Sequence, residues 1–111
     1  MHAQIMYFDG PRSPELVAAA ERAGKQRVTP AALADDTLRA AHHATYVLRQ
    51  PDGGEIVIVV VDDEAALDLA GKVIASAPLL PGEDPALLPG PDRVVRCPVV
   101  HAVEQGVLVL S

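Results

Sequence analysis

The sequence predicts an α+β fold in which helices cover one face of a four-stranded antiparallel sheet. Strand-like and helix-like apolar patterns alternate along 111 residues in the order strand, helix, strand, strand, helix, strand. The segment at residues 55–62 is apolar at six consecutive positions, so both faces of that strand need cover. Half of the residues are hydrophobic, which is enough for one core. We therefore expect a single domain that spans residues 1–111.

The first strand and the first helix have clear signals in the sequence. Residues 3–8 favour a strand, which an Asp-Gly-Pro turn ends. Ser13 is a typical N-cap residue, and Pro14 suits the first position of a helix. Residues 29–43 begin with a second cap-like Thr-Pro pair, and we expect a short helix or a loop there.

A β-hairpin is expected in the middle of the chain. Strands at residues 44–49 and 55–62 flank a Pro-Asp-Gly-Gly sequence at 51–54, which favours a tight turn. Successive residues of the second strand point to opposite faces of the sheet. Two helices can cover only one of those faces, so the other face needs a second layer. A second copy of the chain is the simplest source of that layer.

The second helix is predicted to run from the acidic cluster at residues 62–64, interpreted as helix capping, to about Ala77. A proline-rich loop at 78–92 follows, and loops of this length are usually functional or part of an interface. We expect a strand at 93–101. The tail at 107–110 is too apolar to be left in water, so we expect it to pair with a partner subunit or to cover a sheet edge.

Composition and charge exclude several classes of partner. A net charge of −6 argues against nucleic acid and membranes, because both are bound by basic surfaces. No apolar run has membrane-spanning length, and the first residues do not resemble a signal peptide. The single cysteine, Cys97, fits a reducing compartment and is interpreted as an inert thiol. A cytoplasmic location is expected.

The order of the elements is the ferredoxin-like pattern, in which right-handed crossovers place both helices on one face and the first and third strands in the centre. A ferredoxin-like unit with one uncovered face resembles the dimeric α+β barrel superfamily. Within it, the chain is similar to the small antibiotic-biosynthesis-monooxygenase-like proteins. The similar segments are Ile5-Met6-Tyr7-Phe8 before a helix, Val47-Leu48-Arg49 before a turn, Asp63-Glu64-Ala65-Ala66-Leu67 at a helix start, and residues 79–85.

The resemblance implies a homodimer whose sheets pack face to face and enclose a small aromatic or polyketide-like ligand. Such proteins include cofactor-free oxygenases, relatives that degrade haem, and cyclases. The oxygenases and the haem-degrading relatives use Asn and Trp in the pocket, and this chain contains neither. The expected function is a cofactor-independent oxygenase or cyclase of secondary metabolism. The alternative is a non-catalytic ligand-binding or structural homodimer.

Five polar residues are the candidates for catalysis. His42 and His43 can act as acid or base at a pocket mouth, or form a solvated pair before an edge strand. A metal site is disfavoured, because adjacent strand residues point apart and no further ligand stands at a suitable spacing. Tyr46, Arg96 and His101 lie on predicted strands. They can orient a bound aromatic substrate, or simply keep their polar ends in water.

No cofactor is expected from the sequence. It contains no glycine-rich phosphate loop, no dinucleotide fingerprint and no nucleophile elbow. The catalytic candidates therefore have to act through their own side chains, by moving protons or by stabilising a developing negative charge.

Overall fold

A computed structural model describes residues 1–111, and its elements follow the order expected from the sequence with additional short ones. The strands are β1 (His2–Phe8), β2 (His42–Arg49), β3 (Glu55–Val61), β4 (Arg93–Pro98), β5 (Ala102–Glu104) and β6 (Val107–Leu110). The helices are α1 (Pro14–Ala23), α2 (Thr29–Ala34), α3 (Asp36–Ala41) and α4 (Glu64–Ser76).

The main sheet has four strands in the order β2-β3-β1-β4, and every neighbouring pair is antiparallel. At its centre, Ile5 of β1 lies opposite Ile58 of β3 on one side and Val95 of β4 on the other. The expected α+β fold with a four-stranded antiparallel sheet is confirmed. The sheet order, with the first and third strands central, is compatible with a ferredoxin-like fold.

Side-chain caps define where the two longer helices begin. The Ser13 hydroxyl accepts a hydrogen bond from the Leu16 N–H at 3.2 Å, with Pro14 at the first position of α1, as expected. In α4, the Asp63 carboxylate accepts the Ala66 N–H at 2.9 Å. The interpretation of the acidic cluster as helix capping is thus correct for Asp63.

The region between α1 and β2 is more helical than the sequence suggests. A π-helical segment, Gly24–Val28, joins α1 directly to α2, so the helical path continues from α1 to the end of α2. Asp35 then caps α3 by accepting the Leu38 N–H at 2.9 Å. Leu38 is only 3 % exposed and anchors α3 to the body of the protein.

The core lies between the sheet and α4. Val61 is 0 % and Leu67 2 % exposed, and together with Ala66 they form the buried cluster. Ala41 and Val59 pack against this cluster. Only 7 of the 111 residues are buried, so most of the hydrophobic half of the sequence remains accessible in a single copy of the chain.

Polar contacts hold the long loop between α4 and β4 against α1 and the π-helical segment that follows it. The Glu83 side chain is 3 % exposed, accepts the Leu80 N–H at 2.8 Å, and pairs with Arg27 at 2.9 Å. These contacts, chiefly the Leu80 N–H, lower the pKa of the Glu83 carboxyl. The Arg22 guanidinium donates to the Pro81 carbonyl oxygen at 2.6 Å. This loop therefore has a structural role in the fold.

The end of the chain differs from the sequence-based expectation. The predicted strand at 93–101 is too long, because β4 ends at Pro98. The Val99 N–H still donates to the Met1 carbonyl oxygen, and beyond this hydrogen bond the chain leaves the sheet. The apolar tail, β6, pairs with β5 through a Gln105-Gly106 turn in which both residues have positive φ. We name β5 and β6 the C-terminal hairpin. It is hydrogen-bonded to no strand of the main sheet, so the expectation that the tail covers a sheet edge is wrong.

Candidate active site on the open face

The face of the main sheet opposite the helices has no helical layer over it, and we name it the open face. Tyr46 and Leu48 on this face are 58 % and 46 % exposed. Among its residues, Arg93 is the only charged one. The register places twelve residues there: Ala3, Ile5 and Tyr7 of β1, Ala44, Tyr46 and Leu48 of β2, Ile56, Ile58 and Val60 of β3, and Arg93, Val95 and Cys97 of β4.

A groove of about 700 Å³ lies between the open face and the C-terminal hairpin. This volume is within the range of small-molecule sites, which are typically about 300–1,000 Å³. Nine of its 12 lining residues are hydrophobic, with Tyr46 counted among them, and the other three are His43, Glu104 and Gln105. The lining residues are Met1, His43, Ala44, Tyr46, Val60, Val99, Ala102, Val103, Glu104, Gln105, Val107 and Val109.

A β-bulge turns His43 toward this groove. His42 lies opposite Val61 and Ala44 lies opposite Val60, so His43 is one extra residue in β2. Bulges of this kind change the direction of a side chain and are frequent beside active sites. His43 thereby shares the groove with Tyr46, although in a regular strand two residues three positions apart would point to opposite faces.

His43 is paired with a carboxylate at the mouth of the groove. His43 Nε2 lies 2.5 Å from Asp62 Oδ1, and the two side chains are 32 % and 56 % exposed. An ionised carboxylate only accepts hydrogen bonds, so in the neutral ring Nε2–H donates and Nδ1 is left unprotonated. The contact with the carboxylate also fixes the orientation of the ring.

The pair has the elements of an acid–base site. A histidine oriented by a carboxylate is suited to proton transfer near neutral pH. Tyr46 contributes a phenolic hydroxyl, which both donates and accepts hydrogen bonds, to the same groove. The rest of the lining is apolar except for Glu104 and Gln105, and it suits a flat, largely hydrophobic ligand with one or two polar groups.

The other three candidates do not reach the groove. His42 Nε2 lies 2.7 Å from the Thr45 hydroxyl, so its ring is engaged locally. His101 lies in the connection between β4 and β5 and is exposed. The prediction that it stands on a strand is wrong, because β4 has already ended.

Arg96 is on the helix side of the sheet. Its guanidinium donates to Asp68 at 2.7 Å and to Gln4 at 2.8 Å, and lies 3.7 Å from Glu64. The hydrogen bond to Asp68 is the main cause that raises the pKa of Arg96. These contacts tie β4 to α4 and β1. Structure therefore brings together two of the sequence-based candidates, His43 and Tyr46, and separates the rest from them.

Asp62 is absent from the sequence-based candidates, where the acidic cluster is interpreted as helix capping. A signal was nevertheless available in the predicted hairpin. The two strands of this hairpin pair outward from the turn at 51–54. The end of the strand at 55–62 therefore lies beside the start of the strand at 44–49, next to His43. A carboxylate directly after the second strand therefore falls near that histidine.

A second cavity, of about 540 Å³, lies at the turn between β2 and β3, at the other end of these strands from His43. Arg12 and Arg49 line it, together with the turn itself. Both arginines already face Glu55, with Arg49 at 3.0 Å and Arg12 at 4.0 Å from its oxygens, and Glu55 is 8 % exposed. The arginines are thus engaged in neutralising a buried carboxylate, and this cavity is not a candidate for catalysis.

Comparisons of the chain with protein-family models, with curated proteins and with solved structures found no match. No three His, Cys, Asp or Glu side chains are grouped in an arrangement that could hold a metal ion. None of the helices combines the length and the apolar character needed to cross a membrane. Fold and groove define an α+β protein with an antiparallel sheet, one apolar open face and a histidine–carboxylate pair at the edge of that face.

Proposed function

We propose that the chain is a homodimeric small-molecule enzyme that acts on an aromatic or polyketide-like ligand at the open face. His43 is the proton-transfer group in this proposal, Asp62 orients it, and Tyr46 hydrogen-bonds the ligand. The observation that carries the proposal is the contact between His43 and Asp62 at the edge of an apolar groove large enough for such a ligand.

The exposed surface supports the homodimer. A monomer of 11.6 kDa is expected to expose about 5,800 Å². This chain exposes 6927 Å², an excess of about 1,100 Å² over that expectation. Two copies that each bury this excess form an interface of the obligate homodimer class, which is about 2,000 Å² or more in total. The open face suits such an interface, because charged residues are depleted in interface cores and Arg93 is its only charge.

Proton transfer is the chemistry that the pair supports. His43 removes a proton from a phenol or from a carbon next to a carbonyl group, and Tyr46 stabilises the resulting oxyanion. Cyclisation of a polyketide-like chain needs such a step. An oxygenase that works without a cofactor also starts by deprotonating its substrate, so it is the second reaction class under the same proposal.

The test uses simple phenolic aromatics, such as a dihydroxynaphthalene and a hydroxyanthraquinone, as probes. Binding to the folded protein raises the melting temperature by mass action. With the best probe, His43→Ala is expected to lower turnover by about 10²–10⁴-fold while binding is largely kept. His2→Ala, on the helix side of β1, is the matched control and is expected to leave turnover unchanged. Oxygen consumption during turnover separates an oxygenase from a cyclase.

The alternative function is a dimer that binds its ligand without changing it. The exposure of Tyr46 and of both members of the histidine–carboxylate pair is compatible with recognition alone. Binding with no turnover in the wild type would establish this alternative. If no phenolic probe raises the melting temperature, the ligand class proposed here is wrong.

A further inference from the structure

The C-terminal hairpin carries its one acidic residue on the side that faces the groove. Glu104 pairs with Val107, and both residues line the groove. It is the only acidic residue from position 99 to the end of the chain, in a segment that is otherwise mostly apolar. Leu108 does not line the groove and is 57 % exposed. The hairpin thus turns its charge toward the groove and an apolar residue toward the solvent, which is the reverse of what solubility alone favours.

The Glu104 carboxylate has no ion-pair partner within the chain, since none of the salt bridges includes it. No Lys and no Arg lines the groove. Besides His43, the only basic group on the lining residues is the α-amino group of Met1, and it is not within ion-pair distance of Glu104. Glu104 is exposed, so water solvates its charge while the groove is empty.

A ligand that fills the groove displaces part of this water. Covering an ionised carboxylate without giving it a partner is unfavourable, so the ligand itself has to supply one. An anionic ligand would add repulsion, since Asp62 at the mouth of the groove is a second carboxylate. A protonated amine replaces the lost water by a charge-assisted hydrogen bond, which is stronger than one between neutral groups. The net charge of −6 also attracts cationic ligands to the protein.

We propose that Glu104 is a specificity-determining residue that binds a protonated amine of the ligand. The ligand class of the preceding section then narrows to aromatic compounds that carry a basic amine in addition to the group from which His43 takes a proton. The apolar lining holds the ring system, and the hairpin supplies the charge that selects the amine. This inference rests on the groove and the ligand class of the proposed function, and it does not depend on the homodimer.

Three naphthols of similar size but different charge test the selection of the amine. They are an aminomethyl-naphthol, an ethyl-naphthol and a hydroxynaphthoic acid, with their substituents at the same ring positions, and they are cationic, neutral and anionic at neutral pH. Isothermal titration calorimetry at low ionic strength measures their dissociation constants. The aminomethyl compound is expected to bind the wild type about tenfold more tightly than the ethyl compound, and the acid more weakly than either.

Substitutions at Glu104 show whether this residue causes the selection. Glu104→Gln keeps the size of the side chain and is expected to remove the preference for the amine. Glu104→Lys is expected to reverse it, so that the hydroxynaphthoic acid binds more tightly than the aminomethyl compound. Glu15→Gln, at an exposed position of α1, changes the net charge as Glu104→Gln does and is the matched control, which is expected to keep the preference.

The outcomes separate this inference from the proposed function. If none of the naphthols binds the wild type, both the selection of the amine and the proposed ligand class are wrong. If the ethyl compound binds and the aminomethyl compound binds no more tightly, or if Glu104→Gln keeps the preference, only the role of Glu104 is wrong. A preference that Glu104→Gln removes, Glu104→Lys reverses and Glu15→Gln keeps supports the proposal, because a merely structural effect of the substitutions would not exchange the favoured charge.

Discussion

The helix-covered face and the open face of the main sheet differ in burial although both are apolar. On the helix side, Val61 of β3 is fully buried against Leu67 of α4. On the open side, Tyr46 and Leu48 of the neighbouring strand are about half exposed. Residues 56–60 of β3, which alternate between the two faces, are all half-buried, so the contrast is sharpest between Val61 and the exposed residues of β2.

This difference shows that hydrophobicity along a strand predicts a need for cover without telling where the cover comes from. On one side, α4 and α3 pack against the sheet and close it within the chain. On the other side, only the C-terminal hairpin approaches, at one end. The first face supports folding of the single chain, and the second is the one on which we propose assembly and ligand binding.

The largest expected effect comes from a charge placed on the helix side. Val59 packs against the buried cluster of Val61, Ala66 and Leu67. Val59→Asp leaves an unpaired carboxylate against this core, which is expected to cost about 3 kcal/mol or more in the free energy of unfolding. Urea denaturation at several protein concentrations measures this loss. The loss persists at high concentration, because it acts on the fold of each chain.

The adjacent residue gives the contrasting case. Ile58 lies at the centre of the open face, so Ile58→Asp is expected to leave each chain folded but to weaken the proposed dimer by about 100-fold or more. Val47→Asp is the matched control, since Val47 is 57 % exposed and lies on the helix side. Sedimentation and circular dichroism check assembly and fold separately. If the Ile58→Asp chain is unfolded, or if its dimer is unchanged, the expectation that the open face serves assembly and not folding is wrong.

A smaller, pH-dependent effect is expected at the loop that closes the helix side. The pKa of Glu83 is lowered from its ordinary value of 4.5, mainly by the Leu80 N–H and also by Arg27. Its contribution to stability is therefore present above pH 4.5 and is lost as the pH falls through the lower pKa of the folded state. Glu83→Gln should be less stable at neutral pH and lose less stability on acidification than the wild type. Glu15→Gln, in the exposed first turn of α1, is the control, and equal pH dependence in all three proteins would contradict the expectation.

The order of elements in the main sheet could be predicted because its signals are local. Caps at Ser13 and Asp63, the turn at 51–54, and the period of the apolar residues each depend on a few neighbouring positions. The order of strands then follows from the handedness of the crossovers. The oligomeric state and the reaction expected from the resemblance stay predictions.

The segments that differed from expectation depend on longer-range packing. The π-helical segment Gly24–Val28 begins without a side-chain cap, and Arg27 within it is held by Glu83 from a distant loop. At the end of the chain, Pro98 closes β4 and the chain turns back on itself at Gln105. A single run of apolar residues does not reveal whether it extends one strand or forms half of a hairpin.

The candidate site was only partly predictable for a similar reason. His43 and Tyr46 were identified by residue type, but the sequence does not fix which face a side chain joins. The bulge in β2 decides this for His43, and the bulge has no clear sequence signal. An arginine such as Arg96 could stabilise an oxyanion, but the register of β4 places it on the helix side of the sheet, where it binds Asp68.

The bulge at the start of β2 also separates the site from its scaffold. His43 has no partner residue in β3, because His42 and Ala44 on either side of it pair with consecutive residues of that strand. Deleting this one position is expected to keep the pairing of residues 44–49 and to remove the imidazole, so that a single-codon change separates the histidine from the sheet that carries it.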